Sequence, residues 1–129
     1  MKTAFADSNI FLRYLLDDVP EQTKVVEKYF SQAQNGELSI RVCQIVIFEI
    51  DYILEKYLGI DKPRTVEMLK SIVNLPIIEL EDLQAFIEAL GLYSKKNVDL
   101  VDCFIYSKDK NEGGELLSFD KDFKKLDNL

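Results

Sequence analysis

Apolar residues fall into two kinds of stretch along the chain: short runs, and longer segments in which they recur every three or four positions. The run from Thr3 to Asp7 reads as a short buried strand. From about Asn9 to Leu16 the spacing becomes helical, until Asp17, Asp18 and Pro20 break it. A second helix runs from roughly Pro20 to Gln34 and stops at Asn35-Gly36. Leu38 to Arg41 is a short strand, and Val42 to Tyr57 is a strongly apolar helix ending at Leu58-Gly59. Another helix covers about Lys62 to Val73, with Pro63 accommodated in its first turn, and Pro76 precedes a strand at Ile77 to Leu80. Helices from about Asp82 to Lys95 and Asp99 to Asp109 follow. Gly113-Gly114 lead into a strand at Glu115 to Ser118, and a short helix occupies Lys121 to Leu126.

Strands alternating with helices imply an α/β fold. The expectation is a three-layer α/β/α sandwich whose central, mainly parallel sheet has four to five short strands. In such sheets the functional crevice lies at the carboxyl ends of the strands, where Asp7 and Asp120 both stand. At 129 residues the chain fits one domain, 1–129, large enough to bury a core without staples. It shows no repeats, low-complexity tracts or linkers.

Four acidic residues adjoin apolar, core-forming segments: Asp7, Glu49, Asp102 and Asp120. Glu49 shares a helical face with Ile45, Val46, Tyr52 and Ile53, a stripe expected to face the core and to leave Glu49 partly buried. An unpaired buried carboxylate costs several kcal/mol or neutralises itself, and an arginine or a metal relieves it. Asp99 and Asp102 share a helix face. Asp99 also suits a helix cap and Asp102 a first turn, while Asp7 and Asp120 have the same capping alternative and Asp122 a solvated one. Capping does not cover Glu49. Carboxylates converging from several core elements suit a hard divalent cation, Mg²⁺ or Mn²⁺, and hence metal-dependent phosphodiester chemistry.

The absence of histidine strengthens that choice, because it excludes Ser–His–Asp hydrolysis, histidine-based nuclease chemistry and ordinary catalytic zinc. Neither a G-x-x-x-x-G-K-[ST] loop nor a G-x-G-x-x-G turn is present. The net charge of -7 argues against a wide basic face, so any nucleic-acid contact is local. Arg13, Arg41, Lys121, Lys124 and Lys125 are candidates for such contacts, with ordinary surface charge as the alternative. Cys43 and Cys103 lie in apolar segments and read as small buried hydrophobes in a reducing compartment. No apolar run suits a signal peptide or a membrane span, which places the protein in the cytoplasm, away from membranes.

Four segments together resemble a PIN-domain ribonuclease of the VapC toxin type. Asp7-Ser8-Asn9-Ile10-Phe11-Leu12-Arg13-Tyr14-Leu15 is similar to the family's opening strand and helix. Phe48-Glu49-Ile50 resembles its central glutamate-bearing helix. Asp99-Leu100-Val101-Asp102-Cys103-Phe104-Ile105 resembles its Asp-Phe-Ala-Asp-Ala-Leu-Ile segment. Ser118-Phe119-Asp120-Lys121-Asp122-Phe123 resembles its closing Thr-Phe-Asp motif. The order matches over nearly the whole chain; serines stand for threonine at Ser8 and Ser118, and Cys103-Phe104 replace smaller residues.

The resemblance implies a metal-dependent endoribonuclease acting as the toxin of a toxin–antitoxin pair, dimeric and blocked by a small antitoxin protein. Asp7, Glu49, Asp102 and Asp120 would be the catalytic metal ligands, with Asp99 and Asp122 as accessory ones. Ser8, Asn9 and Ser118 would orient them by hydrogen bonds. Two other functions compete. A non-catalytic PIN-like module that binds RNA or protein would share the fold without cleaving RNA. A Mg²⁺-dependent receiver-like phosphotransfer domain would carry adjacent acidic residues after its first strand, where Ser8 and Asn9 follow Asp7 instead.

Overall fold

A computed structural model describes residues 1–127. Its elements are β1 (Lys2–Phe5), α1 (Ser8–Leu16), α2 (Pro20–Gln34), β2 (Leu38–Val42), α3 (Gln44–Tyr52), α4 (Lys62–Val73), β3 (Ile78–Leu80), α5 (Leu83–Lys95), α6 (Leu100–Glu112) and α7 (Phe123–Asp127). α3 runs directly into a π-helical turn, Ile53–Tyr57. The strands form one parallel sheet in the order β1-β2-β3, with Thr3 opposite Ser39 and Arg41 opposite Glu79. Parallel neighbours need helical crossovers, here α1–α2 and α3–α4, which accounts for the alternation legible in the chain.

The core is apolar and continuous. Val42, Ile47, Ile50, Leu54, Leu69 and Phe86 are all buried. Phe48, Phe86 and Phe104 form a three-ring cluster joining α3, α5 and α6, with centroids 5.3 Å apart for Phe48–Phe86 and Phe48–Phe104, and 4.4 Å for Phe86–Phe104. Aromatic pairs at such separations add to the free energy of burial. This cluster matters for function because Phe48 precedes Glu49 and Phe104 lies two residues beyond Asp102.

Four expectations need correction. The described residues contain three strands, not four or five, because 115–118 form no ladder; Leu117 and Phe119 project into solvent. β1 is consequently an edge strand and largely exposed rather than buried, with Phe5 open to water. The stripe that includes Glu49 faces the core only in part, through the half-buried Val46 and Ile53. On this helix, apolar nearly all round, the side turned inward is Ile47, Ile50 and Leu54, leaving Ile45, Glu49 and Tyr52 exposed. Cys43 is exposed at the start of α3, whereas Cys103 is buried as expected.

Candidate functional site

β1 ends at Phe5, and two residues later Asp7 sits in extended backbone as the N-cap of α1, its Oδ1 accepting from the Asn9 backbone N–H at 3.0 Å. The cap reading of Asp7 therefore holds geometrically, and it fixes the carboxylate just beyond the carboxyl end of β1. Ser8, only 4% exposed, donates its hydroxyl hydrogen bond to the Glu49 carboxylate of α3. That bond reaches 41 residues along the chain and joins the first strand–helix corner to the central helix. Ser8 thus bonds a carboxylate through its side chain, and Asn9 bonds one through its backbone N–H.

The other carboxylates come together around the start of α6. Asp99 occupies the N-cap position but makes no capping bond, so the capping alternative for it fails in its usual form. Asp102 lies in the first turn, half-buried. Asp102, Asp120 and Asp122 present carboxylate oxygens that all lie within 4.8 Å of one another. Asp7 and Glu49 are not in that group. The structure thus delivers the predicted acidic residues in two sets, Asp7 with Glu49 through Ser8, and Asp102 with Asp120 and Asp122.

Asp120 and Asp122 are held locally. The Asp120 Oδ1 accepts from the Asp122 N–H at 2.8 Å, and the Asp120 N–H donates to the Ser118 hydroxyl at 2.9 Å. Ser118 therefore shapes the turn and makes no bond to a carboxylate. Both acidic residues stand beside Asp102. Burial pushes the Asp102 carboxyl above its ordinary range, and the charges of Asp120, Asp99 and Asp122 push it the same way. Lys125, 2.9 Å from Asp122, is one cation against this group. Three hard oxygen donors crowded together form a donor set suited to a divalent cation.

Sequence reasoning missed a second acidic pair. Asp51 and Glu55 lie one turn apart where α3 passes into its π-helical turn, a spacing that was visible in the chain. The Asp51 carboxyl is pushed up to about 8, first by burial and then by its hydrogen bond and charge repulsion with Glu55. Two carboxylates this close are eased when one holds a proton, and the buried Asp51 Oδ1 has no hydrogen-bond partner among the described residues. Tyr93 donates its hydroxyl to Glu55.

The basic candidates are mostly engaged. Arg13 pairs with Asp18 at 2.7 Å and Arg41 with Glu79 at 3.4 Å, besides Lys125 with Asp122. Among the described residues no helix is long and apolar enough to cross a membrane.

Comparison with known proteins gives the family. Residues 4–129 match the family model of the PIN domain. A VapC ribonuclease from Aquifex aeolicus (strain VF5) is 33% identical over 123 residues, which are 93% of this chain and 89% of that protein. No solved structure matches the chain. The family match takes in the strand–helix corner of Asp7, the helix of Glu49 and the acidic turn at 120–122, and by it the chain belongs to the PIN-domain family.

Proposed function

We propose that this PIN-domain chain is an endoribonuclease that hydrolyses RNA phosphodiester bonds with the aid of Mg²⁺ or Mn²⁺, and that it serves as the toxin of a toxin–antitoxin pair. The observation that carries the reading is the convergence of Asp102, Asp120 and Asp122 in a chain of this family. Asp7, Glu49, Asp102 and Asp120 are assigned as the catalytic residues and metal ligands, with Asp122 and Asp99 as accessory ligands. The likeness to a VapC ribonuclease supports RNA as substrate and an antitoxin protein as partner. A homodimer in the cytoplasm is the working state on this reading.

The protein's own part is to assemble and hold acceptors. Ser8 fixes the rotamer of Glu49 through its hydroxyl, and the α1 cap fixes Asp7. The turn of Ser118, Asp120 and Asp122 presents two carboxylates to Asp102. A divalent ion held there would supply a Lewis acid for the scissile phosphate and a lowered pKa for attacking water, which removes the need for a histidine base. Preorganised carboxylates cost little reorganisation when the substrate arrives.

The test is cleavage of a mixed RNA with Mg²⁺, with EDTA, and by Asp7→Asn. Activity in Mg²⁺ that EDTA and Asp7→Asn each abolish is the expected outcome. Cleavage by Asp7→Asn at the wild-type rate would overturn the assignment, and an inert wild type would favour a binding module.

A further inference from the structure

β3 ends at Leu80, and the chain turns through Glu81 and Asp82 into α5. Asp82 has a left-handed backbone, φ 57 and ψ 42, which a non-glycine residue adopts only at a cost. It stands where an aspartate would ordinarily cap α5, yet its side chain makes no capping bond. Its carboxylate is directed elsewhere. Oδ2 accepts from the Gln44 side-chain amide at the first residue of α3, and Oδ1 accepts from Lys108 Nζ of α6 at 3.0 Å. Lys108 also meets Glu112 at 2.8 Å, and the Gln44 backbone N–H donates to Glu81 at 3.1 Å. The bond to Lys108 holds the Asp82 carboxyl below its ordinary value, with the Gln44 amide acting in the same direction.

The two helices tied by this carboxylate are those that carry Glu49 and Asp102. Gln44 lies five residues before Glu49 and Lys108 six residues after Asp102, so each anchor is within two helical turns of its acidic residue. The aromatic contact of Phe48 with Phe104 fixes how closely α3 and α6 approach, but ring contacts permit sliding along the axes. Directional hydrogen bonds from one carboxylate to both helices set that remaining freedom.

We infer that Asp82 is a positioning residue for the nuclease site. By bridging Gln44 and Lys108 it sets the register of α3 against α6, and so the separation between Glu49 and the Asp102 group on which divalent-cation binding depends. The inference rests on the nuclease reading above. A pair this exposed, with side chains 29% and 39% accessible, contributes little to global stability, so its loss is legible in cation binding rather than in folding.

Asp82→Gly is the decisive variant, because glycine takes the left-handed backbone freely and removes only the bridge. Titration with Mn²⁺ followed by thermal shift, and with Mg²⁺ followed by RNA cleavage, should show a half-maximal concentration about tenfold above wild type. Tm without metal should be equal or higher. Lys108→Met should shift the midpoint in the same direction. The double variant should be no worse than the more affected single one, since both break the Asp82–Lys108 bond. Asp82→Asn, which keeps an acceptor and tolerates the backbone, should recover part of the loss. Midpoints within twofold of wild type in both Asp82→Gly and Lys108→Met would overturn the inference while leaving the nuclease reading intact. A wild type without any response to either metal would overturn both.

Discussion

Replacing Asp102 by asparagine should make the metal-free protein more stable while making it inactive. The carboxylate oxygens of Asp102, Asp120 and Asp122 lie within 4.8 Å of one another. Two unit charges at that separation repel by roughly 1 kcal/mol in bulk water and by about 3–4 kcal/mol at an effective dielectric near 20. Asp120 is exposed and Lys125 sits 2.9 Å from Asp122, so the lower part of this range applies. Asp102→Asn keeps the shape and should raise metal-free stability by about 1–2 kcal/mol, or roughly 4–8 °C in Tm. The pH dependence follows from the same crowding. The folded-state pKa of Asp102 lies above its ordinary 3.8, so its favourable contribution is fully present below that value and is lost as pH climbs through the raised one. Metal-free wild type should therefore weaken between pH 4 and neutrality more than the variant does. Mg²⁺ should raise the wild-type Tm, leave the variant nearly unmoved, and restore no cleavage to it. Calorimetry from pH 4 to 8, with and without Mg²⁺, reads all of this. A variant less stable than metal-free wild type, or one that keeps the full Mg²⁺ shift, refutes the argument.

Three further outcomes are expected. Asp51→Asn should flatten the stability profile measured by urea unfolding between pH 6 and 9, because a carboxyl pushed up to about 8 by burial and Glu55 contributes fully below its unfolded pKa and loses that contribution as pH rises through about 8. Ser8→Ala should cost about 1 kcal/mol of stability, since the exposed Glu49 can turn to water. It should slow RNA cleavage by roughly tenfold or more, because Glu49 loses its fixed orientation. Phe86→Ala, at a fully buried ring in contact with Phe48 and Phe104, should cost about 3–5 kcal/mol by denaturant unfolding.

Most helices were legible because their signals are local. Pro20 at the start of α2, Asn35-Gly36 at its end, and Pro63 in the first turn of α4 act within one turn of the residues they govern. The strand at 115–118 failed for the opposite reason. Alternating apolar residues state a capacity to pair, and pairing needs a partner edge that nothing in the segment itself specifies. Glu49 shows a related limit. A helix apolar on nearly every side has no moment to reveal which face turns inward, so its burial could not be read from periodicity. Asp102, Asp120 and Asp122 were legible only as candidates, because a carboxylate beside an apolar run is conspicuous wherever the helix faces. Asp82 gave no such signal. An aspartate after a strand and before a helix looks like a cap, and only in the folded chain is it bonded to two other helices.

The acidity of the chain constrains how RNA can approach it. A protein with net charge -7 repels a polyanion, and three of the cations that might reverse this locally are paired: Arg13 with Asp18, Arg41 with Glu79, Lys125 with Asp122. Nucleases that bind through a basic groove release many counterions, and their affinity falls steeply with salt. On the proposed reading, the sign of the site changes where the carboxylates hold a divalent ion against the scissile phosphate. Binding should then involve one or two phosphates, and log Kd should rise with log salt by a slope of about 1–2 at saturating Mg²⁺. Filter binding of Asp7→Asn or wild type with a non-cleavable RNA between 50 and 300 mM KCl would measure it. A slope of about 6 or more would mean that a basic surface unaccounted for by these ion pairs dominates the encounter.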